Sequence, residues 1–335
     1  MILVTGGTGL VGSHLLYQLT SQNKQVRAIY RALESLNSVK KVFSYFTENS
    51  EELFSNIEWV KADITDVPSL EKVFVDVKVV YHAAALVSFN PKEYRKMRQV
   101  NIEGTANVVN HAIASKVQKF CFVSSIAAIG DSVNNEVVTE ENDWSIESGN
   151  NGYAITKHGA EMEVWRASQE GIDVIIVNPG VILGAGFWNL NTGLLFTKVA
   201  NGFKYFTEGI TGFVGVTDVV KAMINLTESD VKNQGFILVS ENVSFKAVFT
   251  EIAQNLAKKP PTIMVSKTIT SFLRRIDAIR CFITGKKRMI TKDSEKSLHS
   301  KTLYSSEKIK SSIGYEFTPI KLVIKNVSAR YKSDR

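Results

Sequence analysis

The chain has 335 residues, 44% hydrophobic and 22% charged, ordinary values for a globular protein and long for one compact core, so a larger domain with a smaller appended lobe is expected. No apolar run approaches the roughly 18 residues of a membrane span, no signal peptide is expected ahead of the strand-like run Ile2–Thr5, and two cysteines exclude a disulfide framework or a cysteine metal centre. The net charge of +7 is modest, and the cytoplasm is the expected compartment.

The first 180 or so residues alternate short apolar runs with helix-period segments, the pattern of βαβ units and a parallel sheet. Strands are predicted at Ile2–Thr5, Val26–Tyr30, Ile57–Lys61, Val79–Ala83, Lys119–Ser124 and Val174–Asn178, continuous apolar runs suited to burial on both faces. Helices are predicted at Leu10–Ser21, Val67–Val73, Arg98–Ser115 and Ala154–Glu170.

Between the first strand and the first helix lies Thr5-Gly6-Gly7-Thr8-Gly9-Leu10-Val11-Gly12. It reads as G-x-G-x-x-G from Gly7 or as G-x-x-G-x-x-G from Gly6. Either reading supplies a tight turn, close backbone approach to a pyrophosphate, and a helix N-terminus whose free N–H groups bind an anion. The fold class that follows is α/β: a Rossmann-type doubly wound parallel sheet with a smaller C-terminal α+β lobe. At the end of the second strand an NAD-binding chain places an acid against the ribose 2′-hydroxyl. Here the strand ends Ala28-Ile29-Tyr30-Arg31. Arg31 is either a surface residue or a planar clamp for a 2′-phosphate, and the missing acid favours NADP(H) over NAD(H).

Downstream, Ser125 follows the fifth strand, where ligands of open parallel sheets bind. Tyr153-Ala154-Ile155-Thr156-Lys157 puts a tyrosine and a lysine one helical turn apart on one face. A neighbouring ammonium is expected to pull the phenol down from its usual value near 10. His82 reads as a packed strand residue and Asn101 as structural, holding a water or a backbone carbonyl near the site. Cys121, in Phe120-Cys121-Phe122-Val123, reads as a buried thiol.

Beyond residue 184 the pattern breaks into shorter, glycine-rich pieces, which places a nucleotide-binding domain at 1–183 and a substrate-binding lobe at 184–335, with the chain crossing back into the core near 210–240. A last helix pair is predicted at Val248–Leu256 and Ile269–Ile283. The second carries a stripe of Ile269, Phe272, Leu273, Ile276, Ile279 and Ile283, expected to pack on the lobe, and Lys286-Lys287-Arg288 follows it. From Lys258 to the end the chain has 19 Lys/Arg against 6 Asp/Glu. A solvated basic surface is the plainer reading, and weak contact with an anionic membrane is the alternative; no nucleic-acid partner is expected. The loop Leu86-Val87-Ser88-Phe89 and the segments Phe187-Trp188 and Phe213–Val216 are candidates for an apolar wall, although core packing is the commoner role.

With these residues in view, the chain resembles the extended short-chain dehydrogenase/reductases of the epimerase/dehydratase superfamily over about residues 1–240. The matching features are the glycine loop, Asp63 in Ala62-Asp63-Ile64, His82-Ala83-Ala84-Ala85, Asn101, Ser125, Tyr153 with Lys157, and Asn178-Pro179-Gly180. Tyr30-Arg31 resembles the dihydroflavonol-reductase-like branch, which implies reduction of a ketone or aldehyde with NADPH. The resemblance implies that Ser125, Tyr153 and Lys157 are catalytic. It also implies that Gly6, Thr8, Gly9, Leu10, Val11 and Gly12 hold the pyrophosphate, that Asp63 and Ile64 meet the adenine, and that Ala83, Ala84 and Ala85 line the middle of the cofactor. Lys157 would bind the nicotinamide ribose, and Pro179 and Ile182 the nicotinamide end. The partner implied is a small carbonyl or alcohol substrate, and the chain is expected as a homodimer or a monomer, the segments Arg98–Ser115 and Ala154–Glu170 being the family's usual dimer surface. Alternatives are a nucleotide-sugar epimerase, a 3β-hydroxysteroid-dehydrogenase-like enzyme, or a non-catalytic NADP-binding regulator. Ile126 and Ala127 stand where dehydratases carry an acid, which disfavours elimination.

Overall fold

The computed structural model describes residues 1–132, 136–145, 150–284, 291, 295 and 298–335. The strands are β1 (Ile2–Thr5), β2 (Val26–Tyr30), β3 (Ile57–Lys61), β4 (Val79–His82), β5 (Lys119–Val123), β6 (Asp173–Pro179), β7 (Val181–Leu183), β8 (Tyr205–Phe206), β9 (Ile210–Gly215), β10 (Gln234–Leu238), β11 (Glu241–Ser244) and β12 (Ile263–Met264). The helices are α1 (Leu10–Ser21), α2 (Leu36–Phe43), α3 (Ser50–Ser55), α4 (Val67–Glu71), α5 (Tyr94–Arg98), α6 (Gly104–Ala114), α7 (Gly152–Gln169), α8 (Gly193–Ala200), α9 (Val216–Glu228), α10 (Phe245–Asn255), α11 (Lys267–Thr284), α12 (Glu307–Ile313) and α13 (Ile320–Ser333).

Seven strands form one sheet in the order β3-β2-β1-β4-β5-β6-β10, every neighbour parallel. The apolar character of the runs explains this placement. Phe120, Cys121 and Phe122 of β5 have at most 1% exposure, as strands covered by helices on both faces must. One face is covered by Leu15, Leu16 and Leu19 of α1, Val39 and Phe43 of α2, and Val219, Met223 and Leu226 of α9. The other is covered by Val108 and Ala112 of α6 and Ala160, Val164 and Ala167 of α7. The strand order reverses between β1 and β4, so the carboxyl ends of these two strands flank a crevice, the place where open α/β sheets bind ligands. β10 lies at the outer edge of this sheet, beside β6, so the chain returns to the first layer well after residue 183.

A smaller sheet, β7-β9-β11, and the pair β8-β12 build the second layer with α8, α10 and α13 around a core that includes Phe196, Phe213, Val248, Ile252 and Ile324. Phe213, Val214 and Val216 are core residues rather than pocket wall, with at most 3% exposure. Trp188 is tied down as well. Its indole Nε1 donates to Asp334 Oδ2 at 2.7 Å, and Asp334 also takes Tyr45 Oη and Lys41 Nζ, which closes the C-terminus on α2.

Three expectations need correction. The single helix expected at Arg98–Ser115 is broken: α5 ends at Arg98, residues Gln99–Glu103 form a π-helical turn, and α6 starts at Gly104. The helix pair expected to end the chain is followed by α12 and α13, whose polar sequences hide short apolar stripes. In α11 the stripe is not packed where it is described: Ile269 and Phe272 are 48% and 62% exposed, while Thr270 and Asp277 are buried and Arg274 Nε pairs with Glu295 Oε2 at 2.7 Å. The side chains of Leu273, Ile276, Ile279, Ile283 and Cys281, and Lys286-Lys287-Arg288, lie outside the described residues. No helix among the described residues is long and apolar enough to cross a membrane.

Candidate active site

The glycine loop resolves in favour of Gly6, Gly9 and Gly12. Gly6 turns the chain with φ +69°, and Gly9 N–H closes the turn on Gly6 O at 3.0 Å. A Cβ on Gly6 would meet the backbone of Ala83 and Ala84 at 2.5 Å, and one on Gly12 would meet Gly6 O at 2.1 Å. Gly7 instead packs against Leu16, whose Cδ1 lies 2.9 Å from its Cβ position. Gly9 is different. Its Cβ position meets only Gly6 O at 3.4 Å, and α1 begins there with no side-chain cap and no acid in its first turn. The N–H groups at the start of α1 therefore have no intrahelical acceptor and face an open cradle. An anionic pyrophosphate fits this loop.

Ala83, Ala84 and Ala85 continue from β4 beside Gly6, with Ala83 N–H donating to Thr5 O at 3.1 Å. At the far end of the crevice Arg31, the residue after β2, is largely exposed, and its Nη1 lies 3.9 Å from Asp63 Oδ2. Asp63 Oδ1 accepts from Thr65 N–H at 2.9 Å and Thr65 Oγ1 at 2.8 Å. Ile64 is buried against Gly104. Arg31, Asp63 and Ile64 thus share one corner at the ends of β2 and β3.

Ser125, Tyr153 and Lys157 come together at the end of β5. Ser125 caps the turn Ile126–Ala128, its Oγ accepting from Ala127 N–H at 3.1 Å. Asn151 caps α7 through Ala154 N–H at 2.8 Å, which sets Tyr153 in the first turn of the helix and Lys157 one turn on. Burial pushes the Tyr153 phenol up to about 12, opposed by the neighbouring Ser125 hydroxyl. The expected lowering by the ammonium is therefore not present here. The reason is geometric: Lys157 Nζ donates to Val123 O at 2.7 Å and sits 4.3 Å from the Phe122 ring centroid. Burial pulls Lys157 down to about 7, opposed by the Glu161 carboxylate.

Pro179 closes β6 and is buried, and Ile182 lies in β7, its carbonyl accepting from Thr192 Oγ1 at 2.7 Å. His82 is a packed residue: it is fully buried between Thr5 Oγ1 at 2.5 Å and Thr105 Oγ1 at 2.9 Å, and burial with the nearby Lys157 charge pulls it down to about 3. Cys121 is a buried thiol pushed up to about 12 by burial. Asn101 is structural in a specific way. Its side chain takes both backbone groups of Leu86, at 2.7 and 3.0 Å, and donates to Thr156 Oγ1 at 3.0 Å, so the π turn staples the loop after Ala85 to α7. Beside this loop is a cavity of about 310 Å³ lined mainly by Phe89, Pro91, Tyr94, Met97 and Ile155, and the Phe89 ring stands edge-on to Tyr153 at 6.0 Å. Of the three apolar segments singled out, the one at 86–89 reaches the site.

Two residues at the site carry no sequence signal strong enough to single them out by role. Asn178 belongs to a recognisable Asn-Pro-Gly turn, yet its side chain links Ser125 O at 3.1 Å to Glu161 Oε1 at 2.6 Å. Glu161 stands four residues beyond Lys157, and that spacing alone places it on the same helical face.

The model of the NAD dependent epimerase/dehydratase family matches residues 2–238. Cinnamoyl-CoA reductase 1 of Petunia hybrida is 26% identical over 331 residues, 96% of this chain and 89% of that protein. Anthocyanidin reductase of Arabidopsis thaliana is 28% identical over 283 residues, 77% of this chain and 80% of that protein. The crystal structure of gox2253 shares the fold with a TM-score of 0.82 at 24% identity, covering 100% of this chain and 98% of that one. With the glycine cradle at the sheet's switch point and the serine, tyrosine and lysine at the end of β5, the chain belongs to the NAD dependent epimerase/dehydratase family, in its dihydroflavonol-reductase-like branch.

Proposed function

We propose that this chain is an NADPH-dependent reductase that converts a ketone or aldehyde to an alcohol. The observation that carries the reading is the meeting of Ser125, Tyr153 and Lys157 at the end of β5, with Lys157 buried and its Nζ on Val123 O at 2.7 Å. Gly6, Thr8, Gly9, Leu10, Val11 and Gly12 would hold the pyrophosphate and Arg31 the 2′-phosphate. Asp63 and Ile64 would flank the adenine, Ala83 to Ala85 the middle of the cofactor, and Pro179 and Ile182 the nicotinamide. The reduced nicotinamide supplies a hydride when bound.

The chain's own residues do the rest. The Ser125 hydroxyl orients the carbonyl oxygen, and Tyr153 donates its phenolic proton to that oxygen. A phenol at about 12 is fully protonated at neutral pH, the form a proton donor requires. The phenolate left behind would be stabilised by the neighbouring Ser125 hydroxyl, and by the Lys157 ammonium once that group turns from the Val123 carbonyl. Lys157 must leave the Val123 carbonyl, or share it, to reach a ribose hydroxyl. A positioned acid contributes about 10²–10⁴-fold, and orientation of the reactants contributes about 7–11 kcal/mol. The apolar cavity at Phe89 supports a substrate with a hydrophobic body rather than a sugar nucleotide. Intact Ser125, Tyr153 and Lys157 support turnover over a purely regulatory role.

Incubating the protein with NADPH and a panel of aryl and alkyl ketones and aldehydes, and following loss of the reduced-cofactor absorbance, tests this. Consumption dependent on one carbonyl class is expected. Interconversion of a nucleotide sugar without net cofactor consumption would overturn it.

A further inference from the structure

Glu161 is a buried carboxylate that nothing in the reduction scheme above uses. It is 8% exposed on the inner face of α7, one turn beyond Lys157. Its Oε1 accepts from Asn178 Nδ2 at 2.6 Å, and the same amide nitrogen reaches Ser125 O at 3.1 Å. Helix α7, the end of β6 and the Ser125 turn therefore meet at this side chain. A glutamine would make the same acceptor bond to Asn178 without the cost of burying a charge. What the carboxylate adds is negative charge, and the buried cation one turn away is Lys157.

Few other groups compete for this role. His82, facing Lys157 from β4, is held neutral, and the phenol of Tyr153 is neutral. Ser124 and Asn178, which face the carboxylate from the ends of β5 and β6, carry no charge. Of the elements packed on α7, Arg95, Lys96 and Arg98 of α5 and Glu103 of the π turn are exposed, Asp173 starts β6 at its far end beside Lys232, and His111 of α6 stacks on Phe74.

We propose that Glu161 is a positioning residue that favours the ammonium form of Lys157 inside the apolar wall of the site while bracing the Ser125 turn through Asn178. The inference rests on the reductase reading for its purpose but not for its test. Burial pushes the Glu161 carboxyl up to about 7 and pulls the Lys157 ammonium down to about 7, and each charge opposes the other's loss. Removing the carboxylate therefore leaves burial unopposed, and the Lys157 midpoint falls.

The test uses cofactor-free protein with lysine labelled at the ε carbon, the Lys157 resonance being identified by its loss in Lys157→Arg. In Glu161→Gln its titration midpoint should drop by about 1–3 pH units, the shift that loss of a nearby opposite charge produces. Glu161→Asp should stay closer to the unmutated protein. A midpoint unchanged within a few tenths, or raised, overturns the proposal. Should Glu161→Gln fail to fold, the reciprocal measurement decides: in Lys157→Met the Glu161 carboxyl midpoint must rise by a comparable amount, and a static midpoint overturns the proposal. With a substrate in hand, the alkaline limb of kcat/KM should move to lower pH in Glu161→Gln, whereas a purely structural role would scale the profile without moving it. Failure to find a substrate would count against the reductase reading and leave the titration result intact.

Discussion

Substituting Arg31 by alanine tests the cofactor choice proposed for this corner. A hydrogen bond to a charged group contributes about 1.5–3 kcal/mol, which corresponds to a preference for NADPH over NADH of roughly 10- to 150-fold. The exposure of Arg31 argues for the lower end of that range. The Arg31 side chain is 71% exposed, so water and salt screen it, and its Nη1 lies 3.9 Å from Asp63 Oδ2, a carboxylate that repels a 2′-phosphate. About tenfold is therefore expected at low salt, shrinking as ionic strength rises. Arg31→Ala should erase most of that preference and leave NADH affinity almost unchanged, since NADH has no phosphate to lose. Asp63→Asn should widen it, because the arginine is then freed from its carboxylate neighbour. Titrating both cofactors by fluorescence against the three proteins measures all six affinities. Equal affinities in the unmutated protein, or tighter NADH, would refute the assignment of Arg31 to the phosphate.

The glycine loop yields a paired prediction: Gly12→Ala, whose Cβ would lie 2.1 Å from Gly6 O, should lower Tm and abolish cofactor binding, whereas Gly9→Ala should keep Tm and weaken NADPH at least about tenfold. Calorimetry with and without NADPH separates the two, and equal Tm losses would contradict the division of roles. Asn101→Ala orphans both part-buried backbone groups of Leu86, while the Thr156 hydroxyl keeps Tyr153 O, so urea unfolding should show a loss of about 2–4 kcal/mol, at about 1–2 kcal/mol per orphaned group; a loss under about 0.5 kcal/mol would show that the staple is dispensable. Exposed Ile269 and Phe272, flanked by exposed Lys267 and Arg275, should carry the protein onto phosphatidylserine vesicles at low salt, with release as salt rises; sedimentation without vesicles at every ionic strength leaves the basic surface merely solvated.

The parallel sheet was legible because its strands are buried on both faces and read as unbroken apolar runs. β1, β2 and β3 lie where the residue pattern places them, β4 and β5 end one residue earlier, and β6 is one residue longer at each end. The glycine loop was legible for a different reason: backbone contacts at Gly6 and Gly12 leave no room for a Cβ, so the residue type itself reports the geometry. What stayed hidden depends on contacts between distant segments. The π turn at Gln99–Glu103 interrupts a helix whose apolar spacing is continuous, and within it Asn101 bonds to Leu86 and Thr156, contacts no local pattern announces. The inward turn of α11's polar face depends on Glu295, which no local pattern announces. At the site, Tyr153 and Lys157 were found by spacing, but the phenol's rise to about 12 was not. The lysine's bond to Val123 O turns its charge away, and only the packed structure shows that bond.

The most direct test of the central claim is Tyr153→Phe, which removes one hydroxyl and nothing else from the pocket. With a carbonyl substrate established, its turnover should fall at least about a hundredfold, the lower end for a general acid, while NADPH affinity stays within about twofold. Turnover close to that of the unmutated protein would mean that the proton comes from elsewhere and that the site at the end of β5 is not where the carbonyl is reduced.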